Sequence, residues 1–554
     1  MATSVSSGVV GSGGGTLKRS VGFYGLTFIS LGSIIGSGWL LGALTAATKA
    51  GPASLLSWIL AAIMLAVLAL VHAELGAAYP ASGGTARFPL FAFGTLAGFT
   101  AGWSTWLQAV AIAPIEVLAS LSYLNSISWV KTNLNMLHTD GTLTASGIGI
   151  ASFLMIVFTL INIVGVKLLS DSNTVTVIWK TAVPLVTVVV LVSLRFNGSN
   201  FSAGGGFAPF GAHGVFAALP AGVVFALQGF EQALQVGGEA RNPQKDMSRA
   251  IIAAMLIGTA VYLLLEVAFI GALDPANLTK GWASPIATGD FSPYASLAAG
   301  LGAGWLVFVL RVDSFISPAG TGLIYIGTSA RATYAMGRSR VLPAVMSRLT
   351  LRGVPLWSIL VAFVIGELSF LPFPSWQSLV NIVTSATAIM YAFAPVSLTA
   401  LRLRDPDRLR PYRLPAASVL SPLAFVFANL IIYWGGFDTT LKLIVSIFIG
   451  RVLFEITLAR TKSEDRPEID WRASSWIWPW LAGTLLIGLL GRYGNWGYRN
   501  VIPEWWDLAT VAVFSLIIFY FAVSLASPAE KVQAMVEATK AELAEEEAEL
   551  KIPG

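Results

Sequence analysis

The stretch Gly32-Ser33-Ile34-Ile35-Gly36-Ser37-Gly38 places three glycines and two serines in the middle of the first long apolar segment. Glycine costs a helix interior about 1 kcal/mol relative to alanine, so the segment reads as a helix loosened at the centre of a bilayer. A second feature reinforces this reading. Lys180 stands alone in residues 175–192 (VTVIWKTAVPLVTVVVLV), where an ammonium costs about 3 kcal/mol on insertion scales. A broken helix and an isolated intramembrane charge point to a transporter whose charge switches.

The composition is that of a polytopic membrane protein. Of 554 residues, 55% are apolar and 11% charged, with 18 tryptophans, and the mean hydropathy is +0.73. A soluble globule carries about 25% charged residues. The net charge of +5 does not indicate nucleic acid, because the basic residues fall between apolar segments, where they set membrane orientation. There is no cysteine, which excludes disulfides and thiolate metal sites, and His72, His138 and His213 are too scattered to read as a metal cluster. No cofactor is expected. Residues 1–16 are Ser- and Gly-rich and lack an apolar core, so they read as a flexible cytoplasmic tail. The glycine-rich stretch 11–15 has neither a preceding strand nor a Gly-Lys-Ser/Thr ending, and is not a phosphate loop.

Apolar runs of roughly twenty residues mark membrane-spanning helices. They fall at 20–48, 53–79, 89–121, 146–167, 173–195, 215–236, 248–273, 294–335, 355–371, 376–401, 417–435, 439–459, 474–491 and 505–526, which makes fourteen spans of an all-α protein. The third and eighth exceed a perpendicular crossing and are expected to tilt or to continue beyond the bilayer. Arg87, Arg241, Lys245, Arg338, Arg340, Arg402, Arg404, Arg408, Arg410 and Arg413 fall in even-numbered connections, while the opposite loops hold mainly Lys49, Lys131, Arg195, Lys280, Arg492 and Arg499. Positive charge inside places both termini in the cytoplasm of a cell-membrane protein. Residues 527–554 form a charged, helical C-terminal segment. Val532, Met535, Val536 and Leu543 recur there at helical spacing; a solvated tail is the simpler reading, a weak partner for this helix the alternative.

The two halves correspond. Residues 219–239 (LPAGVVFALQGFEQALQVGGE) form a second interrupted helix, broken around Gln228-Gly229-Phe230, and it opens spans six to ten as the first break opens spans one to five. Matched breaks in two five-span halves are the signature of an inverted repeat with a midplane site. Residues 17–196 are therefore repeat one, 213–401 repeat two, and 402–526 the last four spans. Close helix packing is the alternative use of such glycines, and the pairing of the breaks favours the inverted repeat over it.

At these residues a family resemblance becomes specific. The 32–38 motif resembles the first-span motif of the amino acid, polyamine and organocation permeases, and FALQGFE at 225–231, running on to EARNP at 239–243, resembles their sixth-span signature. AELGAAYPASGG at 73–84, SARATYAMGRSRVLP at 329–343 and RPYRLP at 410–415 resemble their loops after spans two and eight and before span eleven. The match runs over about residues 17–460, and fourteen spans resemble the aspartate:proton-type branch. The resemblance implies a LeuT-like 5+5 inverted repeat with discontinuous spans one and six.

Each broken helix has a chemical use. Amides of the first break, including Gly36 and Gly38, and the Ser37 hydroxyl can receive a substrate carboxylate at the positive end of a half-helix. Carbonyls of Ile34, Phe225, Ala226 and Gln228 can accept hydrogen bonds from an α-ammonium. The resemblance implies the same arrangement, with Phe225 as an aromatic gate, and aligns Lys180 with the span-five lysine of proton-coupled relatives, where sodium-coupled cousins hold a cation. Lys180 is then a proton carrier, or alternatively a permanently charged pin between helices. Glu231 matches a frequent acidic position and is expected to couple protonation to the span-six hinge. Glu116 pairs with Lys180 or anchors a helix. Gln108 and Gln228 face a polar substrate side chain or bond between helices. Arg311 and Asp313, two apart, do not share a helix face and have open roles. The expected partners are a small amino acid, a proton and the bilayer. A proton-coupled amino acid symporter is the leading reading, an amino acid exchanger the runner-up and a sensing permease the third. No repeated carbonyl filter or charge ring supports a channel, and no nucleophile or metal cluster supports an enzyme.

Overall fold

The computed structural model describes residues 21–81, 83–164, 166–287, 290–348, 350, 355–371, 374–492, 501–503 and 505–549. The tail expected at 1–16 lies outside them. The first half contains α1 (Phe23–Ile34), α2 (Gly38–Ala50), α3 (Ser54–Ala78), α4 (Gly84–Phe93), α5 (Thr95–Leu124), α6 (Ser128–Asn133), α7 (Ala145–Val164) and α8 (Val166–Leu194). The second contains α9 (Gly211–Ala218), α10 (Val224–Leu227), α11 (Gln232–Gln235), α12 (Pro243–Ala272), α13 (Pro293–Gly300), α14 (Gly304–Arg338), α15 (Leu356–Ser369) and α16 (Trp376–Arg404). Beyond it follow α17 (Ala417–Trp434), α18 (Phe437–Arg460), α19 (Trp471–Ser474), α20 (Ile477–Leu490), α21 (Trp506–Ser524) and α22 (Ala529–Glu549).

Among the described residues ten helices are long and apolar enough to cross a membrane, and three shorter apolar ones accompany them. The protein is an all-helical, polytopic membrane protein. α5 and α16 run through the centre almost wholly buried, whereas α7, α8 and α21 bury only about a third of their apolar windows. Their outward side chains include Phe153, Leu160, Val175, Val189, Ile517 and Tyr520. Apolar surface of that extent suits lipid and not water. α14 lies along α5, and α12 along α3 and α1.

Two of the long apolar runs are not single tilted helices. The run expected at 89–121 is interrupted at Gly94, φ +84°, between α4 and α5, and that at 294–335 near Gly302, φ +74°, between α13 and α14. Both glycines take a positive φ that a side chain disfavours, and the apolar run conceals the turn because hydropathy does not register backbone handedness.

Within α14, Pro318 has no N–H to give the carbonyl one turn back, that of Ser314. The Ser120 hydroxyl of α5 donates to it at 2.7 Å. A neighbouring helix thus satisfies a carbonyl freed by proline, the condition for tolerating proline inside a span.

Two loop motifs, 73–84 and 410–415, meet the end of α16 at one end of the bundle. Glu74, fully buried at the end of α3, accepts from Arg402 Nε at 2.8 Å and Nη2 at 2.5 Å and from the Leu414 amide at 2.6 Å, with Arg410 Nε at 3.4 Å. Tyr79 donates to Asp405 at 2.9 Å, and Arg408 lies 4.9 Å over the Tyr79 ring. Desolvation and the Asp405 carboxylate both push the Tyr79 phenol above its ordinary pKa. α22 turns back onto α4 and α16: Val532 and Val536 are buried, the Ser527 amide donates to Ala92 O at 2.9 Å, and Lys531 Nζ lies 2.6 Å from Glu468. Val532 and Val536 of the C-terminal helix are thus covered by the chain itself, while the Leu543 side chain lies outside the described ones.

Candidate substrate and coupling site

The break in span one occupies residues 35–37. Ile35 leaves the helical region at φ −88°, ψ 78°, and α2 begins at Gly38. Span six breaks over residues 228–231: α10 ends at Leu227, Gln228 is extended, and Gly229 has φ +120°. A further positive-φ glycine, Gly222 at +138°, disturbs the helix before it. The two breaks are back to back. A Cβ on Gly38 would lie 2.8 Å from Ala226 Cα, and one on Gly229 would lie 2.9 Å from both Ser33 C and Ile34 N. Those contacts require glycine at both positions.

The N-terminal end of α2 already holds a carboxyl group. The Ser37 amide donates to Glu116 Oε2 at 2.8 Å and the Ser37 hydroxyl to Oε1 at 3.2 Å. Glu116 is buried in α5, and the unpaired amides and dipole of a helix N-terminus favour a carboxylate there. Trp376 Nε1 donates to Ser37 Oγ at 3.1 Å. Gly36 makes room, since a Cβ there would come 2.7 Å from Glu116 Oε1 and 3.1 Å from Thr321 Oγ1. The Ile34 carbonyl accepts from the Tyr262 hydroxyl at 2.8 Å.

Lys180 approaches from α8. Its Nζ donates to Gly32 O at 2.5 Å and to Thr321 Oγ1 at 2.6 Å, and it is 1% exposed. The ammonium therefore joins the end of α1 to α14. These bonds go to oxygen atoms of Gly32 and Thr321 and not to Glu116, which reaches the same break from α5.

A pocket opens at the break, lined by Ser33, Ile34, Gly36, Gly38, Ile112, Glu116, Phe225, Gln228, Thr321 and Tyr325. Six of the sequence candidates line it. Ser37 and Ala226 are committed to Glu116 and to the contact with Gly38. Phe225 meets Trp376 edge-on at 5.9 Å. Gln228 Nε2 donates to Thr384 O at 3.3 Å, leaving its buried Oε1 without a partner.

Gln108 and Glu231 form a second centre. Glu231 accepts from Tyr391 at 2.5 Å, from the Gly229 amide at 3.1 Å, and from Gln108 and Gln232 at 3.2 Å each. The carboxylate thus folds back on the glycine of its own break. Phe230 stacks on Tyr391 with centroids 4.8 Å apart, and His72 meets both rings edge-on. Sequence reading missed Thr321, Tyr262, Trp376, Tyr325 and Tyr391. Thr321 alone carries a signal, standing between Gly320 and Gly322 just after Pro318.

A small pocket thus lies between two broken helices of a polytopic bundle, with a buried ammonium against one break. Residues 21–454 match the family model described as amino acid permease, and the chain belongs to that family, within the amino acid, polyamine and organocation superfamily. It is 34% identical over 509 residues to the glutamate/serine transporter AimA of Bacillus subtilis (strain 168), covering 91% of this chain and 94% of the relative. It is also 34% identical over 513 residues to the aspartate-proton symporter of the same organism, covering 92% and 96%. The branched-chain amino acid permease BcaP of Bacillus subtilis (strain 168) matches at 26% over 455 residues, covering 80% and 94%.

Proposed function

We propose that this protein is a secondary active permease that imports an amino acid together with protons. The observation that carries the reading is the Lys180 ammonium bonded to both the broken end of α1 and Thr321 of α14. A charged lysine offers three donors and makes charge-assisted bonds; the neutral amine makes weaker ones. Loss of the proton therefore loosens α1 from α14, and regaining it draws them together. Relatives that transport glutamate or serine and aspartate with protons support the same reading.

In this reading residues 17–196 and 213–401 are the two halves of a LeuT-like inverted repeat that rock about the paired breaks, within fourteen spans and with both termini in the cytoplasm of a cell-membrane protein. The α-carboxylate of the substrate takes the N-terminal end of α2, exchanging with Glu116 at Ser37 and using the amides near Gly36 and Gly38. The α-ammonium faces carbonyls of Ile34, Phe225, Ala226 and Gln228. Glu231 answers to the span-six hinge through the Gly229 amide, with Gln108 among its donors.

The test is uptake of labelled L-aspartate, L-glutamate, L-serine and a wider amino acid panel into proteoliposomes. An inward proton gradient, a sodium gradient and internal unlabelled amino acid are compared. Proton-driven accumulation abolished by a protonophore is expected. Uptake only with internal amino acid would make the protein an exchanger and Lys180 a fixed structural charge.

A further inference from the structure

α8 touches α14 with two consecutive residues. Lys180 bonds Thr321, and Trp179 Nε1 donates to Asp313 Oδ1 at 2.8 Å. Asp313, Ser317 and Thr321 follow one another at helical i, i+4 spacing, so they stand on one face of α14, about 12 Å from end to end at about 1.5 Å rise per residue. All three are buried, at 0%, 0% and 2% exposure. The Ser317 hydroxyl donates to Asp313 Oδ1 at 2.6 Å.

Both donors converge on one carboxylate oxygen. Oδ2 of Asp313 is buried with no hydrogen-bond partner, and among the described residues no lysine or arginine forms an ion pair with Asp313. The Trp39 indole N–H, itself buried without a close partner, faces this carboxyl, and a buried carboxyl whose second oxygen is not firmly held requires a reason. Arg311 does not supply a counter-charge, since a residue two positions away lies on another face. The groups that face Asp313 from neighbouring helices are Lys180 of α8, Tyr123 of α5 and the Trp39 indole of α2. Tyr123 is committed to Leu40 O at 3.1 Å, which leaves Lys180 as the base in reach.

Gly320 stands between Ser317 and Thr321, where the lysine packs. At Gly320, Thr176 Cγ2 lies 3.0 Å and Lys180 Cδ and Nζ each 3.7 Å from the point a Cβ would occupy. A relay along this face requires the four-carbon stem to carry the nitrogen past Thr176 from Thr321 towards Ser317.

We propose that Asp313 is the proton station that loads Lys180 from the Gly304 end of α14, the end that the proposed orientation places outside the cell. The inference rests on the proton-coupled reading above. In the step Lys180, released from Thr321, comes to Ser317 as a neutral amine; the Ser317 hydroxyl turns from Asp313 Oδ1 to that nitrogen and gives it its proton, taking the proton of protonated Asp313 in its place. Asp313 is left as carboxylate and Lys180 as ammonium, and no other reactant is needed.

The experiment is Asp313→Asn in the full chain, reconstituted in proteoliposomes and assayed with labelled L-aspartate, L-glutamate and L-serine. Proton-driven accumulation should fall at least tenfold while exchange against internal amino acid falls less than threefold. The initial rate should lose its dependence on external pH and keep its dependence on internal pH, and Asp313→Glu should restore the external-pH response. Unchanged accumulation and pH profile, or equal loss of accumulation and exchange, would overturn the proposal. If Asp313→Asn fails to reach the membrane, Ser317→Ala must show the same selective loss, and a wild-type profile for it overturns the relay. Wild-type protein with no proton-driven accumulation would instead defeat the coupled reading itself, which separates the two failures.

Discussion

Ser37 and Glu116, 79 residues apart in sequence, are joined twice, through the amide at 2.8 Å and the hydroxyl at 3.2 Å. The helix end suited to a substrate carboxylate therefore holds a carboxylate of the protein's own. An internal ligand of the same chemistry keeps the N-terminus of α2 satisfied, and a substrate must compete with it.

Glu116→Gln should replace that competitor by a neutral amide that cannot ionise and keeps one hydrogen-bond acceptor. Equilibrium binding of a labelled amino acid at neutral pH is expected to tighten by about tenfold, since one unpaired charge-assisted bond is worth about 1.5–3 kcal/mol. Weaker binding would show that Glu116 supports the substrate and does not compete with it.

Lys180→Ala should abolish proton-driven accumulation and leave exchange measurable. Lys180→Arg should not restore it, because a guanidinium stays charged at any working pH. Parallel assays of accumulation and counterflow check both; poor membrane abundance together with loss of both activities would mark Lys180 as a pin between helices.

Gly229→Ala should impair transport more than Ala226→Gly. The first combines a φ of +120° with Cβ contacts of 2.9 Å against the backbone of Ser33 and Ile34, where strain of about 1–3 kcal/mol is typical of a non-glycine residue. The second only removes a methyl at the same crossing. Initial uptake rates normalised to membrane abundance give the comparison.

Glu74→Gln should lower stability by about 3 kcal/mol, the usual scale for breaking a buried pair from one side. Arg402 would lose its bidentate partner and the Leu414 amide its charged acceptor. A fall in the melting temperature of the solubilised protein is the readout, and an unchanged value would show that the cluster is solvated.

Much of the fold was legible in local chemistry. The glycines and serines of 32–38 and the Gln228-Gly229-Phe230 stretch both fall where helices break, because loss of helix propensity is a property of the residues themselves. The partner of each break was not legible. Ser37 meets Glu116, the Ile34 carbonyl meets Tyr262, and Gln108 turns to Glu231, all contacts between segments far apart in the chain, decided by how helices pack. Asp313 was visible as an intramembrane charge but not as a neighbour of Trp179, and an indole carries no marker of the bond its N–H will make. Gly94 and Gly302 escaped notice because both lie in runs whose apolar character continues across the turn.

The docking of α22 on α4 has a practical consequence. The chain contains no cysteine, and Gln533 is on the exposed face of α22, so Gln533→Cys places a single probe there without removal of native thiols. Paired with a second label on the far side of the bundle, it turns the tail of the protein into a ruler. The rearrangement that carries cargo across then becomes a distance read in real time, in a membrane and on one molecule.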